Sequence, residues 1–362
     1  MFNLSNNKAF GLDLSDISLK IAHLKNEKNG LVLASYGRKE ITEGVIENGE
    51  IKKTDELIEI IKTSVKEVKG LPLDTNKCVV SLPETESFIQ VIRLPKMKKE
   101  ELKEAVRWEA ESYIPIPISE VYFDWQIIQT ANPLEDSCDV LFGALSKKLV
   151  EPYLLALKSA GLKPVVFEIE SVATVRALIK DEFSSEPIML VDLGAERSSF
   201  IIFSGYTIHF TASSSISNDF LIEEIARNLK INKEAAKKLK YEGGIDKADG
   251  QNKVYGALLP SLNELVDKIR KYIEFYRTHG LSGHSKTAEI SKILLCGGGA
   301  NLEGLPSFLA KELKMPVEMG NPWVNILKSS PEKIPELPYE QSIGYATALG
   351  LALRGVRLND NP

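Results

Sequence analysis

Apolar and polar residues alternate along this chain in short blocks that switch between strand-like and helix-like spacing. Residues 9–24, 31–36 and 77–83 read as strands, with TDELIEIIKTSVKEV (54–68) as an amphipathic helix among them. That order predicts an α/β fold. A distinct piece follows over 88–130. Its helix begins near Lys98, carries Leu102, Ala105, Val106 and Tyr113 on one side, and is stopped by Pro115 and Pro117. VYFDWQII and SCDVLFGALS (137–146) read as strands and KKLVEPYLLALKSAG (147–161) as a helix. Together these suffice for a small α/β lobe inserted in the first half.

Residues 163–181 start as a strand and become a helix near Ser171. Helices are predicted over 217–230, with Ser217 or Asp219 as N-cap, and over 232–244, closed by two glycines. IDKADGQNK reads as a solvated loop before SLNELVDKIRKYIEFYRTHG (261–280), the clearest amphipathic helix, whose stripe of Leu262, Leu265, Val266 and Ile269 predicts core packing. Residues 291–317 read as strand, glycine turn, helix and strand, and 342–355 as a helix of small residues suited to close packing.

One pattern occurs twice. FGLDLSDISLKIAHL (10–24) and VDLGAERSSFIIFSG (191–205) each run an apolar strand to an Asp, turn through a short polar stretch and return as a second strand. The repeat divides the chain into halves near residue 185. Two such hairpins can grip a polyphosphate from opposite sides. Asp13 and Asp192 would face a cation, directly or through water. Gly11, Gly194, Ser15, Ser198 and Ser199 allow close backbone approach. GGGAN (297–301), between a strand and a helix, offers bare backbone to a purine. Other nucleotide motifs are absent: no Gly-Lys pair exists for a P-loop, and Leu302 stands where a dinucleotide fingerprint needs a small residue.

Composition narrows the class. The net charge of −5 over 362 residues argues against a nucleic-acid binder. The three cysteines are far apart and form no CxxC, which predicts neither disulfides nor zinc and fits a reducing cytosol. No signal peptide, membrane-spanning run or amphipathic C-terminal anchor is read, so direct membrane insertion is not expected.

With these motifs in this order the sequence resembles the actin-like ATPase superfamily. GLDLSDISLK and VDLGAERSS look like its two phosphate motifs, CGGGANLEGL like its adenosine motif, and EIESVATVRAL and GYATALGLAL like its two connecting helices. Within it, RWEAESYIPIPISEVYFDWQII, FEIESVATVRAL and NPWVNI resemble the PilM family of type IV pilus machines. The resemblance implies a duplicated, ribonuclease H-like actin fold. Its expected parts are a first lobe (1–85 plus 164–185), an inserted small subdomain (86–163), a second lobe (186–216 plus 281–362) and a smaller helical lobe (217–280).

The resemblance also implies bound ATP and magnesium. Gly11, Asp13, Ser15, Lys20, Asp192, Gly194 and Ser198 would meet the phosphates, and Asp13 and Asp192 the magnesium. Glu170 would position water for at most slow hydrolysis. Gly297, Gly298, Gly299 and Lys240 would hold adenosine. Ser15 replaces a usual Gly, and Lys237 stands where a Glu usually binds ribose, with Glu223 or Glu224 as substitutes. The implied role is a cytoplasmic scaffold, peripheral at the inner membrane, that docks the N-terminal cytoplasmic segment of a PilN-like single-pass protein. Relay to the pilus assembly and retraction ATPases and self-association into a ring are implied too. Arg107, Glu109 and Tyr113 are candidates for the partner contact, in a cleft between the first lobe and the small one. An FtsA-like filament-forming division protein and a small-molecule kinase of the same fold remain open.

Overall fold

The computed structural model describes residues 8–28, 30–84, 87–128, 136–245, 252–279, 289–327 and 336–358. The first half contains β1 (Phe10–Leu14), β2 (Ser18–Glu27) and β3 (Gly30–Glu40), a ribbon of β4 (Ile46–Glu47) and β5 (Glu50–Ile51), α1 (Thr54–Lys66), β6 (Lys69–Gly70) and β7 (Lys77–Leu82). The small lobe holds β8 (Ser87–Pro95), α2 (Lys99–Glu111), β9 (Val121–Ile127) and β10 (Ser137–Ser146). Then come α3 (Lys147–Ser159), β11 (Lys163–Ile169) and α4 (Glu170–Leu178). The second half holds β12 (Ser184–Leu193), β13 (Ser198–Gly205), β14 (Thr207–Ser214), α5 (Asn218–Leu229), α6 (Lys233–Gly243) and α7 (Lys253–His279). It ends with β15 (Lys292–Cys296), α8 (Leu305–Leu313), β16 (Val317–Met319), α9 (Tyr339–Ser342) and α10 (Ala346–Val356).

The two halves repeat one topology. The first sheet is ordered β11-β7-β1-β2-β3-β6 and the second β14-β13-β12-β15-β16. In each, an antiparallel meander (β1-β2-β3; β12-β13-β14) continues through its first strand into two parallel strands (β7, β11; β15, β16). The meander supplies the hairpin turn, and the parallel strands end on the same side of the sheet, where α/β folds place ligands.

Packing assigns two helices differently from the sequence expectation. The small lobe's sheet, β8-β10-β9, is covered by α2, with Leu102, Val106 and Ala110 against Ile92, Val140 and Phe142. Helix α3, expected in that lobe, instead buries Leu149, Tyr153 and Leu157 with Phe10, Leu12, Ile21 and Val80 of the first sheet. Each such side chain contributes roughly 1.5–3 kcal/mol on burial, so α3 belongs energetically to the first lobe.

The last helix behaves similarly. Helix α10, expected with the second lobe, packs Leu349, Ala352, Leu353 and Val356 against Ala22, Leu24 and Tyr36 of the first. Conversely, α4 leaves the first sheet and places Val175, Ala177 and Leu178 in the second core. The two helices cross where a methyl on Gly350 would stand 1.8 Å from the Ala173 carbonyl oxygen, and the Thr174 and Thr347 hydroxyls meet at 3.1 Å. The small residues of α10 thus permit a backbone-to-backbone crossing that ties the halves together.

Two further expectations are refined. Helix α7 begins at Lys253, ahead of the predicted 261, and runs through Pro260. Buried Val254 and Leu258 extend its stripe and offset the hydrogen bond that Pro260 cannot donate. Of the two proposed N-caps on α5, Ser217 is the one used, its hydroxyl accepting from the Phe220 amide at 3.1 Å.

Candidate functional site

The two hairpins face each other across a cleft of about 920 Å³. Asp13 on β1 lies opposite Lys20, and Asp192 on β12 lies opposite Ser199. Asp13 is buried and held at both oxygens: Lys20 Nζ stands 3.0 Å from Oδ2, and the Ser81 hydroxyl donates to Oδ1 at 2.9 Å. The Ser15 hydroxyl donates to the Ser18 carbonyl and accepts from the Ser18 amide, which fixes the first turn. In the second turn a methyl on Gly194 would lie 2.6 Å from the Arg197 carbonyl oxygen, so the turn needs Gly.

The cleft concentrates negative charge. Burial, and then Asp13, Glu84 and Asp192, push the Glu170 carboxyl well above the usual range, against the pull of Lys20. Burial likewise raises Asp192 to about 6, aided by Asp13 and opposed by Lys20 and the Cys296 thiol, which hydrogen-bonds to it. A cation bound beside them would favour their charged forms. Among the described residues no three His, Cys, Asp or Glu side chains stand in metal-ligating geometry. Asp13 and Asp192, both on the cleft lining, are oxygen donors of the kind that a magnesium ion keeping much of its water shell would take.

The other end of the cleft is bare backbone. Gly297 has φ 82°, and a methyl there would strike Asp192 Oδ1 at 2.2 Å, so glycine is required on both counts. Gly298 has nothing within 4 Å, and the closest atom to a methyl on Gly344 would be the Gly298 nitrogen at 3.8 Å. Tyr241, Tyr345 and Asn301 complete this part of the lining. A flat ring can enter there without meeting a side chain on either glycine.

Of the residues singled out in the sequence, Asp13, Ser15, Lys20, Glu170, Asp192, Gly194, Gly297 and Gly298 line this cleft. Four others lie elsewhere. Gly11 sits under α10, where a methyl would stand 2.2 Å from the Ala348 carbonyl oxygen. The Ser198 hydroxyl is buried and donates to the Ile216 carbonyl, leaving Ser199 at the cleft. Gly299 packs against Leu193, whose carbonyl oxygen would be 2.9 Å from an added methyl. Lys240 is fully buried behind the turn, with Nζ 3.3 Å from the Gly299 carbonyl and 4.7 Å from the Tyr241 ring centre; burial lowers its pKa to about 8.

Lys237 does line the cleft, but neither Glu223 nor Glu224 does. Glu223 pairs with Lys233 and Glu224 with Arg227, whereas Glu234 reaches the cleft. Glu84 and Ser81 were not anticipated. The available signal was topological: β7 runs parallel to β1, so Ser81 near its end reaches Asp13 from within, and Glu84 just beyond it lines the cleft.

A second cavity, of about 340 Å³, lies where the small lobe, α4, α10 and the β13–β14 turn meet. Gln126, Leu141, Arg176, Tyr206, Arg354 and Arg357 are among its lining residues. Arg176 grips Glu168 through both terminal nitrogens at 2.6 and 2.7 Å, and Arg357 pairs with Glu182. Arg354 Nε is buried without a hydrogen-bond partner. Arg107, Glu109 and Tyr113 are exposed at α2 and just beyond its end and do not line this cavity; neighbouring Trp108 is 74% exposed.

Two duplicated α/β halves that close on one cleft, through paired Asp hairpins and a glycine turn, define an actin-like ATPase fold. Solved structures of that shape agree. The ethanolamine utilization protein EutJ from Carboxydothermus hydrogenoformans is 14% identical over 95% of this chain and 89% of its own, with TM-score 0.54. MreB5 of Spiroplasma citri bound to ADP is 11% identical over 98% and 100%, with TM-score 0.55. At such identities the likeness is one of fold. The chain belongs to the type IV pilus assembly protein PilM family, whose sequence profile matches residues 11–356. A solved PilM–PilN type IV pilus biogenesis complex matches at 28% identity over 96% of this chain and 98% of that one, with TM-score 0.80.

Proposed function

We propose that this chain is a nucleotide-binding scaffold of the type IV pilus machine. Mg·ATP lies in the cleft, with its phosphates between the hairpins and adenosine along Gly297 and Gly298. Convergence of both hairpins and that bare turn on one cavity carries the reading. Magnesium would be held through water by Asp13 and Asp192 and would neutralise phosphate charge. Glu170 at the start of α4 is placed to orient water, but burial favours its neutral form and weakens it as a base, which suits slow hydrolysis.

The partner is the N-terminal cytoplasmic segment of a PilN-like single-pass protein, docked in the cavity beside Arg354. The 28% identical match to a PilM–PilN complex supports the partner, and the meeting of three lobes supports the place. No helix among the described residues is long and apolar enough to cross a membrane, so attachment through such a partner suits the chain. Relay to the assembly and retraction ATPases, and a ring of copies on the cytoplasmic face, complete the role.

Titration calorimetry tests both halves of the reading. Mg·ATP should bind with a submillimolar Kd, and a synthetic N-terminal PilN-type peptide should bind at one site per chain. Affinity for Mg·ATP no better than millimolar would sink the nucleotide assignment; absence of peptide binding would sink the partner.

A further inference from the structure

The two hairpin turns of the cleft are joined by a third turn that touches both. Asn48 and Gly49 connect β4 to β5, where Glu47 pairs with Glu50, and both have positive φ, 52° and 81°. Asn-Gly is the pair that such a two-residue turn favours. Its footing is on the first half. The buried Tyr153 hydroxyl, on α3, donates to the Gly49 carbonyl at 2.9 Å, and the Gly49 amide donates to Asp16 Oδ1 in the first hairpin turn at 2.9 Å. Its tip reaches the second half: Arg197 Nη2, in the second hairpin turn, donates to Asn48 Oδ1 at 2.7 Å. Asp16, Asn48, Gly49, Glu196 and Arg197 all line the cleft. Burial, then contact with Asp16 across the same gap, raise Glu196 to about 7, with Asp219 adding to the rise and Arg197 opposing it. Below that pH the Asp16 and Glu196 carboxyls share a proton rather than repel.

We propose that the Asn48–Gly49 turn is a strap that fastens the two hairpins together, and that undoing its contact with Arg197 is a step in nucleotide release. The halves meet in two unlike ways. The α4–α10 crossing is packed backbone to backbone, with no room for a methyl at Gly350. A packed crossing of that kind has no slack and serves as the pivot. Asn48 and Arg197 are both exposed, so water can take over their hydrogen bond at small cost. Relative motion of the halves therefore turns at the crossing and parts at the strap. While the strap is fastened, the hairpins keep their separation before any ligand arrives. The release step rests on the nucleotide reading; the fastening of the hairpins does not.

The test uses the full chain and two readouts. Asn48→Gly removes the amide and keeps the positive φ. In stopped flow, with excess Mg·ATP displacing a fluorescent ATP analogue, it should speed release roughly three- to tenfold. Arg197→Ala should do at least as much, and the double variant should release no faster than Arg197→Ala alone. Tyr153→Phe, which lies off the cleft lining, should speed release about twofold by loosening the footing of the turn. Without nucleotide, hydrogen exchange over residues 194–199 should quicken in Asn48→Gly. Unchanged release in Asn48→Gly, or effects that multiply in the double variant, overturns the proposal. If the wild type takes up no analogue, the nucleotide reading falls, and exchange alone judges the strap: unchanged exchange in Asn48→Gly overturns it.

Discussion

Replacing Asp192 by Asn isolates what a charge in this cleft costs the free protein. Burial, with Asp13 adding to it and Lys20 and the Cys296 thiol opposing it, raises this carboxyl from 3.8 to about 6. The folded chain therefore keeps a proton up to about pH 6 that the unfolded chain releases near 3.8. In that window the folded state binds more protons, so stability falls as pH rises from about 4 to about 6 and stays low above it. The rise corresponds to about 3 kcal/mol at most, and water in the cleft screens part of it. Asn is nearly isosteric and neutral at every pH. Asp192→Asn should therefore gain about 2–3 kcal/mol near neutral pH and almost nothing near pH 4. Urea unfolding across that range measures both. The same variant should lose Mg·ATP binding in calorimetry, because a carboxylate facing the ion's water shell is gone. Equal gains at both pH values, or a loss near neutral pH, would refute the reasoning.

Further outcomes follow from the packing. Gly11→Ala should destabilise the chain by about 3 kcal/mol or more, since its methyl meets α10 backbone; Gly298→Ala should change stability by less than about 0.5 kcal/mol yet weaken Mg·ATP binding. Equal effects of the two in paired urea and calorimetry series would contradict the placement. Burial lowers Lys240 to about 8 from 10.5, so the folded chain sheds this proton first and stability should climb between those values. Lys240→Met should flatten the climb in pH-dependent thermal unfolding; an unchanged slope would count against it. Arg354→Met should weaken the PilN-type peptide about tenfold or more, because the peptide loses the donor whose Nε is buried and unpartnered at the cavity, while Arg107→Ala leaves it unchanged. The reverse ranking would move the partner to the face of α2.

The candidate site was legible where a local rule forces a residue. Gly297 and Gly194 are required by their own turns, and Asp13 and Asp192 stand at the ends of strands whose sequence pattern repeats. Glu84 was not legible, because it reaches the cleft from the turn after β7, which no local motif marks. Lys240 and Gly299 were misplaced by one layer: they support the glycine turn from behind, and motif spacing does not separate the front of a turn from its back.

What the sequence by itself determined is the duplication, the element order and the class of the fold. An Asp-bearing hairpin written twice, a late glycine turn and a closing helix of small residues admit few arrangements. Apolar periodicity also marked the buried face of nearly every helix. Only the tertiary structure decided which core each face meets. Helix α3 joined the first sheet, and α10 crossed over to the first half while α4 crossed to the second. The reason is physical: periodicity encodes that a face is apolar, and any apolar surface of matching shape satisfies it. Likewise a glycine such as Gly11 marks a place with no room for a side chain. Whether a phosphate or a neighbouring helix takes that room, as α10 does at Gly11, depends on contacts made across the whole chain.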